Sequence, residues 1–263
     1  MLDYLLLVLI GTFAGLAGSL VGLGGGFIII PFLLFFFPLN PQLIVGTSMA
    51  VLLINSLSST YAYLRQKRID VKSGIAFALA MVPGSIIGAI LSKFILTGEV
   101  FHFAFGLFLL CVSLLILFKP SNPIDLPLRP SVSREFEDQS GMSFSYSYHQ
   151  GLGLTISFAT GFLSSFLGVG GGSIMVPTMT ILLHFPPHIA AATSMLTIFV
   201  SSISGTIAHG VMGHIDWSYV LFLAPGAFIG GQLGAKIASK LPSRALMYVL
   251  GTSLILVAFR LLI

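Results

Sequence analysis

The chain has 263 residues, 56% of them hydrophobic and only 8% charged. A soluble domain carries about 25% charged residues, so a water-soluble globular protein is excluded. The net charge of +4 comes from twelve Lys/Arg and eight Asp/Glu. The basic residues lie between apolar segments, where they report membrane topology rather than nucleic-acid binding. The composition predicts an all-α polytopic membrane protein whose main environment is the lipid bilayer.

The first apolar run, Tyr4–Leu20, has no basic stretch before it and reads as a retained membrane segment. It leads into a glycine-rich motif at 15–31, GLAGSLVGLGGGFIIIP, which returns at 161–177 as GFLSSFLGVGGGSIMVP. Eight of the 17 aligned positions are identical, and the 146-residue register continues: Thr47-Ser48-Met49 falls on Thr193-Ser194-Met195, and Ile69-Asp70 on Ile215-Asp216. A duplicated membrane unit with a helix break at the same place in each half points to a transporter's binding site.

Further apolar segments cover Phe27–Phe37, Leu43–Leu64, Ser73–Leu91 and Val100–Phe118. The second half repeats them at Gly151–Leu167, Ile174–Leu183, Ile189–Ala208, Ser218–Ile237 and Ala245–Ile263. A spanning helix needs about 20 residues. Phe27–Phe37 and Ile174–Leu183 are too short, lying between a triple glycine and prolines (Pro38 and Pro41; Pro186 and Pro187) that break helices. Each half is therefore predicted to be a broken or re-entrant Gly-rich helical hairpin followed by three transmembrane helices. Residues 1–118 form the N-terminal membrane repeat, 119–150 a cytoplasmic linker and 151–263 the C-terminal membrane repeat. Pro83-Gly84-x-x-x-Gly88 is expected to correspond to Pro225-Gly226-x-x-x-Gly230 after a four-residue shortening, as a close-packing element.

Three spans per repeat make the second repeat inverted relative to the first. With the Arg65–Lys72 loop in the cytoplasm, ten of the twelve basic residues are inside, leaving Lys93 and Arg260 outside. Four plain spans per repeat would place only eight inside, so the positive-inside rule favours inversion. In the linker, Phe144, Tyr146 and Tyr148 alternate as in a short strand or an interfacial segment.

No Asp or Glu lies in mid-span, which disfavours a buried carboxylate relay or carboxylate cation site. The chemistry left at mid-membrane is glycine backbone with small hydroxyls and amides. Amides exposed at Gly24, Gly25 and Gly26 and at Gly170, Gly171 and Gly172 would open the short helices, and a helix N-terminus suits an anion. Ser19, Thr47, Ser48, Asn55, Ser173, Thr193, Ser194 and Ser201 are the candidate side chains around them.

The triple glycine is not followed by Gly-Lys-Ser/Thr, so it is not a nucleotide-binding loop. His184 and His188 flank two prolines and do not share a helical face, so no metal site is expected; no cofactor is expected either. His209 and His214 flank a turn and are expected to be solvated. No hydrolase motif occurs, and the chain reads as a non-enzyme.

At the doubled G-x-x-x-x-x-x-G-x-G-G-G-x-x-x-x-P pattern, each copy followed by a T-S-M triplet, the chain resembles the TauE/SafE family of membrane permeases. The likeness covers essentially everything but the linker. It implies a multi-pass protein of the bacterial plasma membrane that moves a small sulfur-containing anion such as sulfite, or an organosulfonate such as sulfoacetate. The expected mechanism is alternating access around a midplane site. Ser164 and Ser173 stand where the first copy has Gly18 and Phe27, so the half-sites should differ in polarity. An anion channel, or a membrane subunit acting with a soluble partner, remains the alternative. Substrate, direction, coupling ion and any homo-oligomer stay open.

Overall fold

The structure is a computed structural model describing residues 2–118, 124, 127, 129–139, 141–238, 255 and 257–262. Five helices come first: α1 (Leu2–Val21), α2 (Gly26–Phe36), α3 (Pro41–Arg65), α4 (Val71–Ile95) and α5 (Gly98–Leu117). Two strands follow, β1 (Val132–Glu137) and β2 (Ser143–Tyr148), then α6 (Gln150–Leu167), α7 (Gly172–Ile181), α8 (Pro187–Val211) and α9 (Trp217–Ile237). Among the described residues, six helices are long and apolar enough to cross a membrane: α1, α3, α4, α5, α8 and α9. The expected last span, Ala245–Ile263, falls largely outside the described residues; 257–262 are helical.

Local chemistry sets the helix boundaries. Asn40 caps α3 by accepting the Leu43 amide at 2.8 Å, with Pro41 in the first turn. Asp70 and Asp216, 146 residues apart, cap α4 and α9 through the amides of Ser73 (3.1 Å) and Ser218 (3.0 Å). α1 ends where Gly22 and Gly24 take φ of +80° and +93°; α6 ends where Gly168 and Gly170 take +74° and +84°. These left-handed conformations favour glycine and turn the chain back, so α2 and α7 start beside the helices they follow. α1 is long enough to span by itself, so the first glycine-rich hairpin joins a full-length helix to a short one.

Contacts recur across the 146-residue register. Ser48 Oγ donates to Gly168 O at 2.8 Å, and Ser194 Oγ donates to Gly22 O at 2.7 Å. The Asp216 amide donates to Thr47 Oγ1 at 3.0 Å, and the Asp70 amide to Thr193 Oγ1 at 3.1 Å. Each pair maps onto the other by exchanging the halves, so each repeat grips the other's glycine turn and capping loop.

The small-residue stripes follow the same register. A Cβ on Gly84 would lie 2.2 Å from Phe158 O, and one on Gly88 2.2 Å from Phe162 O. On α9 the counterparts are Gly230, 2.1 Å from Thr12 O, and Gly234, 2.4 Å from Leu16 O. The structure thus corrects the expected pairing of Gly84 with Gly226: no four-residue shortening is needed, and Pro83 and Pro225 are not equivalent. Backbone-to-backbone approach of α4 to α6 and of α1 to α9 requires glycine there.

The exterior is apolar, and small polar side chains are buried within the hydrophobic core. Phe13, Leu79, Phe94 and Leu221 are exposed, while Ser19, Thr47, Ser48, Ser59, Thr160, Ser165 and Thr197 are buried. An apolar exterior of this kind suits hydrocarbon rather than water.

The membrane part is helical as expected, and the linker adds one small hairpin at the alternating aromatics. β1 and β2 pair antiparallel, with Val132 opposite Tyr148 and Glu137 opposite Ser143. Tyr146 and Tyr148 are buried against Phe77 and Phe185, so the alternating aromatics form one face of a hairpin docked on α4 and on the segment between α7 and α8. Two ion pairs fasten it to the loop between α3 and α4: Arg134 Nε to Asp70 Oδ2 at 3.3 Å, and Arg68 Nε to Asp138 Oδ2 at 3.3 Å. Burial, then the Asp70 charge and hydrogen bond, push the Tyr146 phenol well above its ordinary range, so it stays a donor to Asp70 at 2.9 Å.

Candidate functional site

The two glycine turns lie against each other at the centre of the helix packing. A Cβ on Gly26 would lie 2.6 Å from Val169 O, and one on Gly172 2.0 Å from Gly22 O. α2 and α7 therefore both begin where the repeats meet. The amides of Gly25, Gly26 and Phe27, and of Gly171, Gly172 and Ser173, have no protein acceptor among the described residues, as expected for first-turn amides. Two helix starts together bring free N–H donors and a partial positive charge of about half a unit each. Such a place suits an oxyanion without any basic side chain.

Leu52 and Ile198, 146 residues apart, pack on the turns. A Cβ on Gly24 would lie 2.9 Å from Leu52 Cδ2 and 3.4 Å from Ile198 Cδ1, and one on Gly170 would lie 3.2 Å from Leu52 Cδ2. Asn55 is 1% exposed; its Nδ2 donates to Gly24 O at 2.7 Å, and its Oδ1 has no partner among the described residues. Thr160 lies against Gly171, and its buried Oγ1 also lacks a partner among them. The two halves are thus polar at different places. Position 55 carries an amide where the second half has Ser201, and position 160 a hydroxyl where the first half has Ala14.

All fourteen expected site residues are buried, but they do different work. Gly24, Gly25, Gly26, Gly170, Gly171 and Gly172 form the paired turns. Ser173 donates to Gly170 O at 3.3 Å and so closes its own turn. Thr47, Ser48, Thr193 and Ser194 tie one repeat to the other through backbone groups, as described above. Ser201 donates to Ile198 O within its own helix at 3.3 Å, and Ser19 bonds Ser59. In this conformation the Ser48 and Ser194 hydroxyls bond the peptide carbonyls that shape the turns.

Two features escaped the sequence reading. Thr160 carries no motif and stands out only as a departure from the repeat. His209 is fully buried rather than solvated: its Nε2 lies 2.9 Å from Ser165 O, and its Nδ1 lies 3.3 Å from His214 Nδ1. Tyr63, 146 residues earlier, donates to Ser19 O at 2.8 Å. His209 is thus Tyr63's counterpart, tying α8 to α6 as Tyr63 ties α3 to α1.

The profile of the family described as Sulfite exporter TauE/SafE matches residues 7–261. The chain is 41% identical to a protein called probable membrane transporter protein YunE from Bacillus subtilis (strain 168), over 99% of this chain and 98% of that one. It is 27% identical to probable membrane transporter protein MJ0441 from Methanocaldococcus jannaschii, over 95% and 91%. A second Bacillus subtilis relative, probable membrane transporter protein YdhB, is 26% identical over 90% and 91%. No solved structure matches. With glycine-rich helix breaks paired inside a multi-pass helical protein, and with this match along nearly its whole length, the chain belongs to the TauE/SafE family of membrane transporters.

Proposed function

We propose that the protein is a secondary transporter for a small sulfur-containing anion, such as sulfite, or an organosulfonate, such as sulfoacetate, in the bacterial plasma membrane. The observation that carries this reading is the meeting, at the paired glycine turns, of two helix starts with six amides that have no protein acceptor among the described residues. A tetrahedral or pyramidal oxyanion accepts several such donors at once. The family description supplies the sulfur chemistry.

The two repeats are inverted relative to one another, with the 65–72 loop and the hairpin in the cytoplasm. Alternating access then consists of one repeat rocking against the other around the turns. The reciprocal ties of Ser48 and Ser194 are the contacts such a motion would exchange. Lys93 and Arg260 lie on the opposite side; Arg260 stacks 5.1 Å over Phe35 near the end of α2, in keeping with that topology. A hydroxyl at Thr160 where the first half has Ala14 makes the two ends of the site unequal, as the two ends of an organosulfonate are.

The test is thermal unfolding of detergent-purified protein against sulfite, sulfate, thiosulfate, sulfoacetate, taurine, acetate and phosphate. A ligand that binds the native state raises the midpoint by mass action. A shift confined to sulfur anions and weakened in Thr160→Val supports the reading. That substitution removes only a hydroxyl without a partner among the described residues, so the fold should not suffer. Silence from all sulfur anions, while acetate or phosphate responds, would discard it.

A further inference from the structure

We infer that Arg68 is an anion-contact residue at the cytoplasmic mouth of the site, and that Asp138 of the hairpin holds the anion's place until one arrives. This role rests on the anion reading and the topology proposed above. The turn after α3 positions the side chain. Lys67 takes φ +52°, its amide donates to Leu64 O at 3.0 Å, and the Arg68 amide donates to Tyr63 O at 3.2 Å. Such a left-handed turn folds Arg68 back beneath the helix end. Arg68 is 8% exposed and is the only buried Lys or Arg among the described residues. Its Nε donates to Asp138 Oδ2 at 3.3 Å, and the other guanidinium donors take no acceptor among the described residues.

Arg68 lines a narrow cleft between the two repeats. The lining runs from Pro187 and His188, exposed residues in the first turn of α8, to buried Val21 and Ala191. Ala191 abuts the first glycine turn, since a Cβ on Gly22 would lie 2.6 Å from its Cα. The cleft therefore leads from the surface to the paired turns, and the start of α8 adds the partial positive charge of a helix N-terminus. Its open space is about 20 Å³, room for about one water. An anion must accordingly take the place of the Asp138 carboxylate, which shows that an oxyanion suits the guanidinium there. Desolvation offsets much of what a buried pair gains, and an incoming oxyanion brings its own charge, so the exchange costs little net. Asp138 sits at the tip of the hairpin, between β1 and β2, and can leave without unpacking a transmembrane helix.

The other repeat keeps the turn and changes the chemistry. After α8, Gly213 takes φ +72° and the His214 amide donates to His209 O at 2.9 Å. His214 is thus Arg68's counterpart, 146 residues on, and Leu34 and Gln42 stand where the cleft has Thr180 and His188. Lys93, whose charge reaches His214, is exposed. A buried, permanently charged side chain therefore stands at one face only, and that face should load anion at the lower concentration.

The experiment is limited proteolysis of the linker in the purified full chain, in sodium sulfite against sodium chloride at equal pH and ionic strength. Exchange releases Asp138, so sulfite should speed cleavage saturably, whereas a ligand that only stabilises the native state would slow it or leave it unchanged. Arg68→Gln combined with Asp138→Asn leaves neither charge unpaired, so the double variant should fold, and its cleavage should ignore sulfite. Arg68→Lys keeps a charge but loses the planar fork, and should need more sulfite than the wild type. Wild-type cleavage slowed or unchanged by sulfite overturns the exchange, as does a double variant that keeps the full acceleration. Uptake of labelled sulfite into inside-out membrane vesicles loads the carrier from the cytoplasmic face. There the half-saturating concentration should rise about tenfold in the double variant, the factor for one lost charged hydrogen bond. Right-side-out vesicles should not share that rise, and an equal rise from both faces overturns the one-sided loading. Sulfite-accelerated cleavage without flux in either vesicle leaves Arg68 standing as an anion site and overturns the carrier reading alone. Saturable flux with cleavage blind to sulfite does the reverse.

Discussion

Replacing Arg134 with Met should loosen the hairpin from the membrane helices by an amount the structure lets us estimate. Asp70 is buried, with 5% of its side chain exposed, and faces Arg134 Nε at 3.3 Å. Removing one partner of a fully buried pair costs about 3–5 kcal/mol, and an exposed pair about 0.2–1 kcal/mol. Arg134 is 26% exposed, and after its loss Asp70 still accepts from the Ser73 amide, the Ser73 hydroxyl and Tyr146. The expected loss is therefore intermediate, about 2 kcal/mol. At about 2–4 °C per kcal/mol for a chain of this class, the midpoint should fall by about 4–8 °C. Asp70→Asn keeps a good cap on α4 and removes the charge, so it should relieve much of the loss in the double variant. The assay is a double-mutant cycle of melting midpoints in detergent, read together with proteolysis at the linker. Additivity within about 0.5 kcal/mol would refute the clamp.

Ser48→Ala and Ser194→Ala should each cost about 1–2 kcal/mol, because each strips a buried carbonyl, Gly168 O or Gly22 O, of its side-chain donor; chemical denaturation would measure this. Gly230→Leu should abolish folded expression, since its Cβ would lie 2.1 Å from a backbone oxygen. Gly98→Ala, with nothing within 4 Å, should express as the wild type, and detergent chromatography reads both. The pKa of His214 is lowered from 6.5, first by burial and then by the Lys93 charge. Its unfolded form binds more protons below pH 6.5, so its contribution to stability is present above that pH and is lost as the pH falls below it. The melting midpoint should accordingly drop between pH 7.5 and 5.5, and less steeply in His214→Gln; equal slopes would remove His214 as the cause.

The duplication could be read because glycine is forced at Gly22, Gly24, Gly168 and Gly170 by backbone conformation, and such residues survive divergence of the side chains around them. Short helices after each turn followed from segment length and proline. What the sequence did not reveal depends on contacts between distant segments. Tyr63 and His209 share a position and a hydrogen bond but no chemical likeness. Thr47 and Ser48 look like free donors until their partners in the other repeat are seen. The stripe on α9 was misaligned because proline before glycine looked like a register mark, whereas the mark is where backbone oxygens of α1 approach. The hairpin was half legible from Phe144, Tyr146 and Tyr148; its anchoring at Asp70 was not, since a carboxylate at a helix start reads as a cap alone. The glycines are also poor probes of binding. Gly25 has φ +91° and its Cβ would lie 2.5 Å from Ala14 O, so a substitution there disturbs the fold before it reports on a ligand.

Uptake of isotopically labelled sulfite or sulfoacetate into proteoliposomes tests the central claim most directly. The expected result is saturable flux above empty vesicles, competed by the other sulfur anion, not by acetate, and reduced in Thr160→Val at normal insertion. Flux no greater than in empty vesicles for every sulfur anion, or flux that rises linearly without competition, would contradict a sulfur-anion carrier built on the paired glycine turns.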